Sequence, residues 1–158
     1  MQKNPVISYY RDMDAYDRAL KLLSMREHTE KELRKKLSDK GYQKAEIDEA
    51  VGKLIAEGSL SEKRFAEAYI RSRLRKSPEG KEMLRLRLRE KGTPADIAAE
   101  ALNEAWENED YVKPLSQYAE SLLRKKGESG TVAALLRKGF KNSEIKAALS
   151  LLDRDIGE

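Results

Sequence analysis

The sequence predicts an all-α protein built from three tandem three-helix repeats. The first observation is a short amphipathic helix closed by Lys-Gly, which occurs three times and ends at Gly41, Gly92 and Gly139. These glycines lie about 50 residues apart, a spacing typical of tandem copies of one supersecondary unit. The second observation is the composition of the 158 residues, of which 38% are charged, 39% apolar and only 6% aromatic. That balance favours helices with hydrated surfaces over strands.

The first repeat is predicted over residues 13–58, and it opens with a helix whose apolar residues recur at intervals of three and four. Thr29 followed three positions later by Glu32 is a capping-box sequence, because hydroxyl and carboxylate each satisfy a free N–H of the first turn. A second helix therefore begins there. It ends at Gly41, since glycine accepts the left-handed conformation of a helix end. A third helix ends at Gly58.

The second repeat is predicted over residues 59–108. Ser61 stands at the cap of its first helix, and the Ser-Pro-Glu-Gly segment at 77–80 separates that helix from the next. Thr93 and Pro94 are predicted to cap the third helix, with the proline at its first position. A proline is tolerated there because the N–H it lacks would have no partner inside the helix.

The middle helix of this second repeat is ambiguous at first. Residues 84–89 alternate leucine and arginine, which by itself is a strand pattern with one apolar and one basic face. Its place in the repeat predicts a helix instead. Two of these leucines precede Gly92 by eight and four residues, as Leu33 and Leu37 precede Gly41.

The third repeat is predicted over residues 109–153, with a break between its first two helices at residues 127–130. Residues 1–12 lack a helical period and are expected to form a flexible N-terminal tail, and residues 154–158 are expected to fray. We therefore expect nine helices and no sheet, with repeats that stack on their neighbours for stability.

Residue usage argues against an enzyme. The chain has no cysteine and a single histidine, His28, so no Ser-His-acid set and no thiolate metal site can be assembled. No glycine-rich nucleotide loop occurs. We expect no catalysis, no cofactor and no metal, and we interpret His28 as an ordinary surface or boundary residue. The absence of an apolar run of bilayer length predicts a cytoplasmic protein.

Charge is segregated along the second repeat. Residues 71–91 carry nine bases and three acids, whereas residues 96–110 carry six acids and no base. Because arginine predominates and its planar fork reads carboxylates and phosphates well, we interpret the basic segment as a partner-binding surface. Its candidate residues are Arg71, Arg73, Arg75, Lys76, Arg85, Arg87 and Arg89. In the alternative interpretation, these charges are solvated helix faces, or the basic helix packs against the acidic one.

Two short helices joined by a glycine turn also fit a helix-turn-helix, whose second helix would enter the major groove of DNA. The helix after Gly41 carries acids at Glu46, Asp48 and Glu49, and the one after Gly92 has no base. Neither is well suited to lie between rows of phosphates. Independent DNA binding through these helix pairs remains the alternative hypothesis, and a helical scaffold for an unknown protein is a third.

Three motifs taken together carry a family resemblance. They are Thr29-x-x-Glu32-Leu33-x-x-Lys36-Leu37-x-x-Lys40-Gly41-Tyr42, Leu54-Ile55-x-x-Gly58-x-Leu60-Ser61-Glu62-x-x-Phe65-Ala66-x-x-Tyr69-Ile70-x-x-Arg73 and Gly80-x-x-x-Leu84-x-x-x-Leu88-x-x-Lys91-Gly92. They closely resemble the RecX family of regulatory proteins, over residues 15–152. The middle motif is the most specific, because it fixes a glycine, a helix cap and four core positions in one order.

The resemblance implies a bacterial modulator of the RecA recombinase. RecX proteins are similar to one another in forming an elongated, curved array of three-helix repeats that lies in the groove of the RecA–DNA filament. The resemblance implies inhibition of ATP hydrolysis, of strand exchange and of the co-protease activity that triggers the SOS response. We accordingly expect the RecA filament as partner, with weak direct contact to single- or double-stranded DNA, and a monomer.

Overall fold

The computed structural model describes residues 13–156, with the side chains of 154–156 excepted. This range forms eight α-helices and no strand, which confirms the all-α fold class. The helices are α1 (Ala15–Met25), α2 (Glu30–Asp39), α3 (Lys44–Ala56), α4 (Glu62–Lys76), α5 (Lys81–Lys91), α6 (Ala95–Glu107), α7 (Val112–Arg137) and α8 (Asn142–Ile156). The flexible tail predicted for residues 1–12 lies outside the described residues. No helix within them is both long and apolar enough to cross a membrane.

The count of eight helices rather than nine comes from α7. Its 26 residues join the two helices predicted on either side of residues 127–130. The break is nevertheless present, because Gly127 has φ 70° and ψ −178°, a conformation that is almost restricted to glycine. The Thr131 hydroxyl donates to the Gly127 carbonyl oxygen at 2.7 Å, so a side chain four residues later binds the backbone at the kink.

The described chain divides into two compact units. The first contains the residues up to Phe65 together with Lys91–Thr93, and the second contains Ala66–Glu90 and the residues from Pro94 onward. The repeat boundaries at 13–58, 59–108 and 109–153 stay a prediction. So does the frayed end at 154–158, of which α8 includes residues up to Ile156 and 157–158 lie beyond the described range.

The core of the first unit is built from the apolar faces of α1, α2 and α3. Leu33 and Leu37 of α2 are completely buried, as their place before Gly41 predicts. The other buried apolar residues of this core are Ala15, Ala19, Tyr42, Ile47, Ala50, Val51, Leu54 and Leu60. Leucines thus fix the packing of the repeated helix, while its charged residues stay on the outside.

The start of α2 has the predicted capping box. The Glu32 N–H donates to Thr29 Oγ1 at 3.0 Å, and the Thr29 N–H donates to Glu32 Oε2 at 3.3 Å. His28, immediately before, is buried with only 1% of its surface exposed, so its interpretation as a surface or boundary residue is wrong. Its two ring nitrogens lie 3.0 Å from the Arg26 carbonyl oxygen and 2.9 Å from Lys36 Nζ, and these hydrogen bonds make its burial possible.

The cap of α6 lies one residue later than predicted. Pro94 occupies the N-cap position itself, and α6 begins at Ala95 without a side-chain hydrogen bond at its cap. Thr93 lies one residue before the cap and is buried, and within the described chain its hydroxyl has no hydrogen-bond partner. The threonine is therefore part of the packing of the first unit and does not cap the helix.

A Lys-Gly helix end packs against the start of a preceding middle helix in both units, and we call this the Lys-Gly contact. In the first unit, Gly92 lies against Lys31 in the first turn of α2, and the Thr29 hydroxyl donates to the Lys91 carbonyl oxygen at 2.7 Å. In the second, the Gly80 N–H donates to the Lys138 carbonyl oxygen at 2.8 Å. The repeated sequence thus has the same packing role twice.

Candidate partner-binding face

The seven cations predicted to bind a partner lie on two helices of the second unit. The carboxyl-terminal half of α4 carries Arg71, Arg73, Arg75 and Lys76, and α5 carries Arg85, Arg87 and Arg89. That α5 is a helix matters for this face, because a strand would have placed its three arginines on one side. As a helix, it places Arg85 and Arg89 in one row, four residues apart, and separates them from Arg87.

Two of the seven converge on one carboxylate. Glu79, in the segment between α4 and α5, has a side chain that is 2% exposed. Arg87 Nε lies 2.9 and 3.0 Å from its two oxygens, and Arg73 donates to its Oε1. Arg73 and Arg87 remain partly exposed, at 32% and 43% of their side chains. Glu79 therefore links the end of α4 to the middle of α5.

Electrostatics keep Glu79 ionised despite its burial. Burial alone would raise the pKa of this carboxyl, but the hydrogen bonds from Arg87 and Arg73 and the charges of both residues outweigh it and lower the pKa. The same pairing raises the pKa of Arg87. A buried charge left without its partners would be strongly unfavourable, so the two arginines are required by the fold as well as being available at the surface.

The other five cations are exposed. Arg71 and Arg75 are four residues apart on α4, and Lys76 follows them. On α5, Arg85 donates to Glu82 at 2.9 Å, but both side chains are well exposed, so the pair contributes little to stability and can exchange partners easily. Arg71, Arg75, Lys76 and Arg89 form no ion pair with any described residue.

Sequence reasoning located the basic helices but missed Glu79. The alternative, in which the basic helix packs against the acidic one, stays a prediction. Within the described residues no arginine of α5 pairs with an acid of α6, whereas α4 and α6 line one groove. The only signal for Glu79 was its place in a Ser-Pro-Glu-Gly segment between two basic helices, which ordinarily indicates a solvated turn. Among residues 13–156, no group of three or more histidine, cysteine or acidic side chains is placed to hold a metal ion.

Comparison with known proteins gives the family. One family model, described as RecX, first three-helix domain, matches residues 15–54, and another, described as RecX, second three-helix domain, matches residues 61–102. The regulatory protein RecX of Pelodictyon phaeoclathratiforme is 36% identical over 141 residues, which cover 85% of this chain and 86% of that protein. The regulatory protein RecX of Prosthecochloris aestuarii is 42% identical over 90 residues, 57% of this chain and 60% of that protein. The chain thus spans less than two thirds of that second relative.

A solved structure has the same fold. The crystal structure of RecX from Lactobacillus salivarius is similar with a TM-score of 0.69 at 28% identity, and the match covers 93% of this chain and 96% of that one. Both domain models match in order along the chain, and a relative of the same name aligns over most of its length. The chain therefore belongs to the RecX family of regulatory proteins.

Proposed function

We propose that this chain is a non-enzymatic regulator that binds the RecA–DNA filament and inhibits its ATP hydrolysis, strand exchange and co-protease activity. Through that inhibition it modulates DNA repair and the SOS response. Family membership supports the regulatory role. The observation that carries the choice of site is the row of exposed cations on α4 and α5, with Arg73 and Arg87 anchored on buried Glu79.

Anchoring helps binding in a specific way. A long, free side chain loses rotamer freedom when a partner immobilises it, at a cost of about 0.5–1.5 kcal/mol. Arg87 has already lost much of that freedom, because Glu79 holds its guanidinium in place. Its exposed edge can still donate to a carboxylate or a phosphate. The face therefore combines an anchored arginine pair with exposed cations around it.

The test is the ATP turnover of RecA on single-stranded DNA while the full chain is titrated in. Turnover should fall at substoichiometric amounts of the chain. Reversing Arg85 and Arg89 together to glutamate should weaken this inhibition by at least about tenfold, because two favourable charge contacts become repulsive. Arg87 is left intact, since a glutamate there would face Glu79 and unsettle the fold.

A matched control separates the site from total charge. Reversing Lys125 and Lys126 of α7 to glutamate changes the net charge by the same amount at another exposed place in the second unit. The control should inhibit like the unaltered chain. An equal loss of inhibition in both variants would show that the binding surface lies elsewhere. Unchanged ATP turnover over a wide titration of the unaltered chain would exclude RecA inhibition.

Independent DNA binding is the second candidate, because exposed arginines suit phosphates as well as carboxylates. It requires the chain alone to bind a labelled duplex tightly and with sequence preference, and this binding should weaken steeply as salt rises. Fluorescence anisotropy measures the affinity, its dependence on duplex sequence and its dependence on salt. Weak binding without preference for sequence would leave the filament as the functional partner.

A further inference from the structure

The second unit contains a groove that shares only Arg71 with the basic face. It has a volume of about 420 Å³ and lies between α4, α6 and the turn that leads into α7. Its floor is apolar and consists of Ile70, Leu74, Ala101 and Ala105, all of them buried. Grooves of this volume with an apolar floor are where proteins ordinarily bind ligands or partner side chains.

Small side chains create the groove. Ala101 and Ala105 are one turn apart on α6 and face the same side, and their methyl groups leave space that a longer side chain would fill. Ile70 and Leu74 of α4 stand across from them with the same four-residue spacing. The groove can therefore accept an aliphatic side chain from outside, which would contact apolar atoms of both helices.

The charge on the rim of the groove determines which residues can flank that aliphatic side chain in a ligand. Glu104 and Asp110 line the groove, are exposed and form no ion pair with any residue in the described range. Arg71 lines it from α4, so the rim carries more negative than positive charge. The surrounding segment 96–110 adds four more acids and no base. Phosphate groups would be repelled here, whereas lysine or arginine would be attracted.

We propose that this groove is a docking site for a segment of a partner protein that presents an aliphatic side chain flanked by lysine or arginine. The aliphatic side chain fills the space above Ala101 and Ala105, and the cations contact Glu104 and Asp110. This site is separate from the arginines of α5, and it does not depend on what those arginines bind. The docking site gives the acidic segment at residues 96–110 a function separate from that of the basic segment.

The test uses two fluorescein-labelled helical peptides of about 16 residues, a length sufficient for an amphipathic helix to lie in a groove. Both have leucines at every third or fourth position. One carries lysines beside the leucines, and the other carries glutamates at the same places. Fluorescence anisotropy with the full chain should show saturable binding of the lysine peptide and at least about tenfold weaker binding of the glutamate peptide. The net charge of +4 on the chain works against this result, so binding of the lysine peptide requires a local acidic site.

Variants of the groove test whether the lysine peptide binds there. Ala101→Leu fills the groove without changing charge and should abolish binding, and reversing Glu104 and Asp110 to lysine should weaken it by about tenfold or more. Reversing Glu100 and Glu107 to lysine makes the same charge change on the same acidic segment outside the groove lining and should have a much smaller effect. Trp106 fluorescence verifies that each variant is folded.

Three results would overturn the proposal: no saturable binding of the lysine peptide, equal binding of both peptides, or equal losses in the two charge-reversal pairs. If Ala101→Leu disturbs the fold, the two charge pairs still decide the question. No RecA is present in these measurements, so their failure and a failure of RecA inhibition are separate outcomes.

Discussion

Gly80→Ala is the sharpest test of how the second unit is packed. A methyl group on Gly80 would overlap the carbonyl group of Gly139 and lie 2.9 Å from the backbone nitrogen of Phe140. All of these atoms belong to the backbone, so no side-chain rotation can relieve the overlap. Gly80 has no positive φ, and the expected effect therefore comes from the close approach alone.

The size of the effect follows from two contributions. Overpacking a well-packed site costs about 1–3 kcal/mol. Moving the two segments apart also lengthens the hydrogen bond from the Gly80 N–H to the Lys138 carbonyl oxygen, which contributes about 0.5–1.5 kcal/mol. We expect Gly80→Ala to lower the free energy of unfolding of the second unit by about 2–4 kcal/mol.

Urea unfolding followed by tryptophan fluorescence measures this change. Trp106 is the single tryptophan of the chain and lies in the second unit, where it stacks on Tyr111 with ring centroids 5.0 Å apart and donates to Glu144. Its emission therefore reports on that unit. The control is Gly52→Ala in α3, where a methyl group would meet no atom within 4 Å. Followed by far-UV circular dichroism, it should stabilise by about 0.5–1 kcal/mol, because alanine favours a helix interior over glycine.

A Gly80→Ala protein as stable as the unaltered chain would refute the close approach. An equal loss in Gly52→Ala would point instead to a general intolerance of alanine at glycine positions. The two variants make the same chemical change, so only the space around each glycine separates them.

Two further predictions concern the first unit. Burial lowers the pKa of His28 below its ordinary value of 6.5, with the charges of Arg26 and Lys36 acting in the same direction against the hydrogen bond to the Arg26 carbonyl. The contribution of neutral His28 to the free energy of unfolding should thus be complete above about pH 6.5. Below that pH the free energy of unfolding should fall by at most about 1.4 kcal/mol per pH unit. Urea midpoints from circular dichroism should show this slope, and His28→Asn should flatten it. Leu33→Ala should cost about 2–5 kcal/mol in the same assay, because the side chain is fully buried, and a loss under 1 kcal/mol would contradict its place in the core.

Much of the fold follows from sequence because its signals are local. The capping box at Thr29, the serine cap of α4 and the left-handed glycines at helix ends depend on a few adjacent residues, and all are present. The alternating segment at 84–89 was resolved only by its place in the repeat. The prediction fails at Thr93 because the choice of cap between adjacent residues depends on which of them is buried, and burial is a tertiary property.

The candidate site was harder to predict than the fold. Sequence indicates which helices are basic, but it does not indicate which arginines a distant carboxylate will hold. Glu79 is six residues from Arg73 and eight from Arg87, and no helical period relates all three. Its burial depends on how the segment between α4 and α5 packs. For the same reason the groove above Ala101 and Ala105 could not be foreseen, since two alanines one turn apart are common in any helix.

The Lys-Gly contact of the second unit also has a consequence for synthesis on the ribosome. Ser77, directly after α4, accepts a hydrogen bond from Lys138 at 2.6 Å, and the two residues are 61 positions apart in sequence. At a translation rate of about 5–20 residues per second, Lys138 is synthesised roughly 3–12 seconds after Ser77. During that interval Gly80 lacks the backbone of Gly139 and Phe140, against which it finally packs. The second unit therefore completes its folding only after the turn at Lys138 and Gly139 has emerged.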